Sequence, residues 1–290
     1  MPLLELKVRS LYNEWWSTKV RAENNGGTSD IGDVIRNRRR EKDINPSKLT
    51  FKESHMISKF KKIVKNNRIL LTLIKPIYFL FSRKKNFNSK KYWEARYIYG
   101  GNSGAGSYGR LAKFKADVIN DFVKTNEINT VIEFGCGDGH QLSLFKIPYY
   151  TGFDVSKKSI SLCKDKFISD KKKSFFLYGP QYFIDNAHLF QADLTLSLDV
   201  IYHLIEDDMF KKYMYDLFAS SKKYVIIYSS NTDKNDKFRP QHVRHRKFTD
   251  FIKNNYLSWS LISEIKNEFP LKNNEQQESF ADFYIYEKNK

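Results

Sequence analysis

The chain has 290 residues, 41% of them hydrophobic, and 50 Lys/Arg against 33 Asp/Glu give a formal net charge of +17. That hydrophobic share can fill the core of one large domain, or of a domain with an extension. Two cysteines, Cys136 and Cys163, exclude a disulfide framework; with no C-x-x-C or Cys/His cluster they also argue against a zinc site and favour a reducing cytoplasm.

The charge is unevenly spread. Residues 1–90 hold 21 Lys/Arg against 8 Asp/Glu, which leaves 29 against 25 for the rest. The first ten residues carry Glu5, Lys7 and Arg9 without a long apolar run, unlike a secretory leader. Residues 1 to about 57 read as polar helical pieces around the loop Asn24–Ser29, with a basic run from Arg36 to Arg40. Next comes Lys59 to Lys65, then an apolar run from Ile69 to Phe81 broken by Thr72, Lys75 and Pro76, then Arg83 to Lys85. A bilayer needs about 20 apolar residues, so this run is too short to span one. An apolar centre flanked by cations suits a segment lying on an anionic leaflet at residues 59–85. It equally suits a helix packed on the following domain with a solvated basic rim.

From residue 91 the pattern alternates helix and strand. A helix near Gly109 to Lys124 precedes a strand at Asn129 to Phe134; further strands are expected at Tyr149–Phe153, Lys173–Tyr178, Asp193–Leu198 and Tyr224–Tyr228. Helices are expected at Lys157–Phe167 and Glu206–Ala219, and Trp259–Ile265 and Phe280–Tyr286 read as two closing strands. Strands separated by helices favour a parallel sheet.

The most informative stretch is Val131 to Gly139. A β-branched and aromatic run ends in glycines at 135, 137 and 139, which predicts a buried strand, a tight turn and a helix starting near His140. Glycine permits the turn's backbone angles, and a missing Cβ lets a ligand lie against the main chain. A helix N-terminus there would leave N–H groups facing the same spot. The spacing G-x-G-x-G differs from the dinucleotide fingerprint G-x-G-x-x-G, and Glu133 would repel a pyrophosphate yet accept from an ammonium. Asp154 closes the second strand, where an acid suits ribose hydroxyls. Ammonium, ribose and close backbone contact describe S-adenosylmethionine better than NAD.

Here the sequence resembles the class I S-adenosylmethionine-dependent methyltransferases. Glu133 to Gly139 matches their first motif, Asp154 the acid after their second strand, and Ala192 to His203 their fourth strand and its exit. The resemblance implies an α/β, Rossmann-like methyltransferase fold over residues 91–290. That fold has a mostly parallel seven-stranded sheet with helices on both faces, here preceded by a basic, partly helical extension over 1–90. In finer detail the chain is similar to methyltransferases of bacterial capsule and lipopolysaccharide biosynthesis. The stretches that carry this are Tyr92–Tyr97, Gly101–Arg110, Ser197–Leu204 and His242–Phe248.

Candidate cofactor contacts are Glu133, Gly135, Cys136, Gly137, Gly139, Asp154, Val155, Leu198 and Asp199. Tyr108 and Arg110 join them if the glycine-rich stretch Gly100–Gly109 folds over the cofactor as a lid. Asp199 ends the fourth strand, where open α/β sheets bind ligands, and is a candidate for catalysis together with His203, four residues on, a candidate general base. His245 is a further candidate for catalysis. Arg244 and Arg246, with Tyr202, are candidates for binding an acceptor's phosphate or carboxylate, because Arg forks take such anions bidentately. Asp193, opening its strand, reads as a structural carboxylate. No metal is expected.

The resemblance implies O-methylation of a sugar or sugar-linked group during surface-polysaccharide synthesis. The acceptor would be a carbohydrate, nucleotide sugar or lipid-linked glycan met in the cytoplasm at the inner face of the membrane. A nucleic-acid methyltransferase is the alternative suggested by pI ≈ 9.5. Against it, Ser197 to Tyr202 contains no proline where amino-methylating DNA enzymes carry a Pro-Pro pair, and neither cysteine follows a proline. A non-catalytic scaffold is the third reading, disfavoured by intact glycines and both acids.

Overall fold

Alternation of period two runs through the central strands and sends their side chains to opposite faces of one sheet. In the computed structural model, which describes residues 87–236, 239–271 and 278–290, these strands are β1 (Thr130–Phe134), β2 (Tyr149–Asp154), β3 (Lys173–Leu177), β4 (Ala192–Leu198) and β5 (Ser221–Ser229). They pair in parallel, and β6 (Trp259–Ile265) and β7 (Asp282–Lys288) close the edge antiparallel, in the order β3-β2-β1-β4-β5-β7-β6. Helices α1 (Ser89–Ile98), α2 (Gly109–Thr125), α3 (Lys157–Lys166), α4 (Asp207–Ala219) and α5 (Phe248–Asn255) complete the described regular elements, with three short 3-10 turns.

On one face Val131, Leu194, Leu196, Ile226 and Tyr228 pack with Phe114, Ile119 and Val123 of α2. On the other Ile132, Phe134, Val225 and Ile227 pack with Phe210, Tyr213, Met214 and Leu217 of α4. Burying such a side chain is worth about 1.5–3 kcal/mol, so two filled faces explain the consecutive apolar residues Val131–Ile132 in β1 and Val225–Ile227 in β5. The chain runs outward from β1 through β2 to β3, then returns to β4 on the other side of β1. That reversal opens a crevice beyond the C-terminal ends of β1 and β4, where open parallel sheets hold ligands.

Most expected elements fall within two residues of the observed ones, with β7 displaced by two and β5 longer by four residues in total. One expectation fails. No α-helix follows the glycine turn; only a 3-10 turn, Gln141–Leu144, lies between it and β2. The loop from Gly135 to Pro148 is too short for the glycine turn, a helix and the return to the start of β2, and Pro148 stops any helical continuation. The link from β3 to β4 also lacks a helix. Residues 87–290 form one compact unit. The segment read as interfacial, 59–85, lies outside the described residues. Among the described residues no helix is long and apolar enough to cross a membrane.

Candidate active site

The crevice is a hollow open to solvent, lined at the strand ends by Glu133, Gly135, Cys136, Gly137, Asp154, Val155, Leu198, Asp199 and Val200. Helix α1 forms the facing wall through Ser89, Lys90, Trp93 and Tyr97, and Lys115, Gln141, His203 and Tyr213 are among the other residues that line it. Ser89, Trp93 and Tyr97 recur every four residues and so share one face of α1.

The turn's own N–H groups are spent. Gly135 and Cys136 both donate to Phe153 O (2.7 and 3.0 Å), and Gly139 donates to Cys136 O at 3.3 Å. Gly137 donates to Asp154 Oδ2 at 3.0 Å, Asp138 to Ser103 Oγ at 2.9 Å, and His140 to Asp138 Oδ1 at 3.0 Å. The expected cradle of open donors is therefore absent, because the turn closes on itself where a helix would have left its first amides unpaired. The glycines still matter. Gly137 has φ +57°, and a Cβ there would meet Ser103 Oγ at 2.3 Å; one at Gly135 would meet Val200 Cγ2 at 2.4 Å.

What the cavity offers instead is acceptors. Gln141 donates through Nε2 to Ala112 O at 2.9 Å, while its buried Oε1 has no partner among the described residues. Glu133 is buried and accepts from the Tyr150 hydroxyl, and burial pushes its pKa up to about 7, against the pull of Tyr150 and Lys115. Asp154 accepts from Gly137 N–H and, at 2.8 Å, from Ser156 N–H, which leaves each carboxylate oxygen a further lone pair. Burial raises its pKa despite those bonds. Ser156, not Asp154, caps α3, accepting from Ser159 N–H at 3.1 Å. These residues fit S-adenosylmethionine: an ammonium for Glu133 and Gln141 Oε1, ribose hydroxyls for Asp154, and an apolar slot at Val155, Tyr178 and Pro180 for a ring. A pyrophosphate would find no open donor in the turn.

Opposite the turn stands an ion pair not foreseen from sequence. Lys115 on α2 is fully buried, and its Nζ lies 2.6 Å from Asp199 Oδ2, while Tyr202 donates to Oδ1 at 2.9 Å. Asp199 holds φ +60°, a left-handed angle uncommon outside glycine, which turns the chain away from β4 at the cavity floor. A lysine in the buried stripe of an otherwise apolar helix face was the available signal.

His203 lies in a short 3-10 turn, Ile201–His203, and lines the cavity beside Asp199. Its Nδ1 is 2.7 Å from His242 O. A carbonyl only accepts, so Nδ1 carries the proton and Nε2 keeps a lone pair. Burial lowers its pKa to about 4, so the ring is neutral at physiological pH. Trp93 packs edge-on against it at 4.8 Å, and His242 stacks on Tyr92 at 4.7 Å.

Other candidates lie elsewhere. Arg246 donates to Leu204 O, to Ile205 O at 3.1 Å and to Asp207 at 3.0 Å; Arg244 donates to Ile205 O at 2.8 Å and pairs with Asp207 at 2.9 Å. Both tie the loop to the start of α4 and do not line the cavity. His245 sits outside too, its Nδ1 2.7 Å from Ser230 Oγ. Tyr108 stacks on His140 at 4.0 Å and donates to Asp138 Oδ2 at 2.8 Å, and Arg110 lies over the Phe269 ring at 4.5 Å. The glycine-rich loop does reach the turn, but through Ser103, whose N–H donates to Asp138 Oδ2 at 3.0 Å. Asp193 accepts from Asn129 and Thr130 at the far end of the sheet.

No family model matches the chain, and no curated protein matches it. Solved structures do. The N-methyltransferase NodS from Bradyrhizobium japonicum WM9, in complex with S-adenosyl-L-homocysteine, superposes with a TM-score of 0.56 at 10% identity, covering 70% of this chain and 100% of that one. The structure described as "Conversion of a Disulfide Bond into a Thioacetal Group during Echinomycin Biosynthesis" gives 0.50 at 14%, covering 70% and 93%. Magnesium protoporphyrin IX methyltransferase from Synechocystis PCC 6803 with bound S-adenosylmethionine gives 0.49 at 14%, covering 71% and 100%. The fold is thus the Rossmann-like fold of S-adenosylmethionine-dependent methyltransferases, with its seven-stranded, mostly parallel sheet.

Proposed function

We propose that this chain is an S-adenosylmethionine-dependent methyltransferase that O-methylates a sugar or sugar-linked group in bacterial surface-polysaccharide synthesis. One observation carries the cofactor assignment: the glycine turn has spent its donors, and the cavity around it presents buried acceptors. Such a site selects a ligand rich in donors, with an ammonium and a diol. When bound, S-adenosylmethionine supplies an electrophilic methyl group on a sulfonium centre. His203 Nε2 takes the acceptor's hydroxyl proton, in the tautomer set by His242 O. A base so placed favours a hydroxyl acceptor, because an alcohol is a poor nucleophile until it loses its proton, and general bases contribute typically 10²- to 10⁴-fold.

The carbohydrate class rests on the resemblance of Tyr92–Tyr97, Gly101–Arg110, Ser197–Leu204 and His242–Phe248 to capsule and lipopolysaccharide enzymes. A carbohydrate, nucleotide-sugar or lipid-linked acceptor is consistent with a basic extension that would hold the protein at an anionic inner leaflet. Calorimetry with S-adenosylmethionine and S-adenosylhomocysteine, on wild type and Gly137→Val, tests the first part; wild type that binds neither refutes it. Labelled methyl transfer into cell extracts tests the second, with label expected in glycan and the reading overturned by label in nucleic acid.

A further inference from the structure

The two arginines expected to hold an acceptor's anionic group are consumed by carbonyls and Asp207. The cavity nevertheless has a second cation besides Lys115, and Lys115 is matched by Asp199. Lys90, on the first turn of α1, lines the cavity half-buried, with no hydrogen bond or ion pair to any described residue. Its i+4 neighbour Glu94 is turned toward Lys158 N–H at 3.4 Å, and Glu206 is held by Ser89 N–H and Oγ at 3.0 and 2.6 Å.

Helix α1 gives these residues an order along the cavity. Tyr97 lies at the cofactor turn, its hydroxyl 3.0 Å from Ser103 Oγ and 3.1 Å from where a Gly137 Cβ would stand. One turn back, Trp93 meets the His203 ring at 4.8 Å. A further turn back are Ser89, bonded to His203 O at 3.0 Å, and Lys90. At 1.5 Å rise per residue Lys90 lies about 10 Å along the helix from Tyr97 and about 4.5 Å from Trp93. A group that meets His203 therefore has an aromatic ring beside it and an unmatched cation roughly one sugar ring farther out.

We propose that Lys90 and Trp93 form the acceptor subsite, and that the acceptor is an anionic sugar carrying a phosphate or carboxylate close to the methylated hydroxyl. This rests on the methyltransferase reading above and names its substrate class. Trp93 supplies an apolar surface for the C–H face of a pyranose, and Lys90 supplies the charge. An anion at Lys90 also offsets the positive charge that a sulfonium brings into the same cavity.

The test uses the full chain loaded with S-adenosylhomocysteine. Binding of glucose 1-phosphate, glucuronate and the neutral methyl α-glucopyranoside is followed by saturation-transfer NMR and calorimetry, for wild type, Lys90→Ala, Lys90→Arg and Trp93→Ala. The expected order is anionic over neutral sugar, with about tenfold weaker anion binding in Lys90→Ala and near-complete rescue in Lys90→Arg. Trp93→Ala weakens all three. Phosphate preferred over carboxylate assigns a glycosyl phosphate or nucleotide sugar; the reverse assigns a uronic acid. Charge-blind binding by wild type, or Lys90→Ala indistinguishable from wild type, overturns the proposal. Absence of S-adenosylhomocysteine binding in wild type strikes the methyltransferase reading instead.

Discussion

Single side chains set the chemistry of this cavity through burial. His203, with a pKa lowered to about 4, is already neutral at every pH near neutrality. With His203 as the proposed base, kcat at saturating S-adenosylmethionine is therefore expected to be flat from pH 6 to 8 and to fall about tenfold per unit below pH 4, as the ring takes up its proton. His203→Gln should lower kcat about 10²-fold, the low end for a general base because a ring with so low a pKa is a weak one, as read by steady-state kinetics. Glu133 behaves in the opposite sense. Burial raises its pKa to about 7, so the empty site is protonated below neutrality and presents the carboxylate above it. Affinity for S-adenosylmethionine should rise through pH 7 and then level, and Glu133→Gln should bind weakly with no such rise. The same shift makes the folded state bind the extra proton between about pH 4.5 and 7, so stability is lost as pH climbs through that window. Glu133→Gln should then unfold at higher denaturant than wild type at pH 8. An unchanged midpoint would show that Glu133 is not desolvated.

At the scale of elements, the glycine turn and the loop before α2 act as one unit joined by Asp138. Burial alone would raise the pKa of Asp138, but donation from His140 N–H, Ser103 N–H and the Tyr108 hydroxyl holds it below the usual range. Asp138→Ala removes the acceptor for all three. Amide exchange over residues 100–109 should accelerate, and cofactor affinity should weaken several-fold while the sheet stays protected. Equal exchange in the two proteins would mean that the loop is held by something else. Gly137→Ala combines a left-handed φ with a Cβ placed 2.3 Å from Ser103 Oγ, and such backbone strain costs about 1–3 kcal/mol. The strands, the glycines and Asp154 were legible in the sequence because each is a local signal, a run of alternating burial or a residue at a fixed offset from it. The missing helix after His140 was not, because it depended on how many residues the return to β2 consumes.

For the molecule as a whole, the Lys115–Asp199 pair joins α2 to β4 across 84 positions of chain and holds the cavity floor. Removing one partner of a buried pair strands a charge, so Asp199→Ala should destabilise by about 3–5 kcal/mol in denaturant titrations, with Lys115→Met similar and the double variant less than additive. Additive losses would mean that the two side chains do not act as a pair. The described residues lining the cavity run from Ser89 to Tyr213, all within the unit 87–290. A chain lacking residues 1–86 is thus expected to keep its affinity for S-adenosylhomocysteine. Sedimentation of both forms with anionic vesicles reports separately on the basic extension; equal partitioning would remove the membrane role.

Sequence alone determined the α/β architecture, the glycine turn, the two acids at the ends of β1 and β2, and His203 as a cavity residue. These all follow from patterns repeating every two to four residues or from spacing within one loop. Tertiary structure alone decided that Lys115, Gln141, Trp93 and Lys90 face the same hollow, and that Arg244 and Arg246 do not. That outcome depends on which face of α1 and α2 packs over which strand end, and on which buried carbonyls need a donor. A guanidinium near in sequence is spent on such a carbonyl before any ligand arrives, so its role cannot be read until the backbone groups around it are placed.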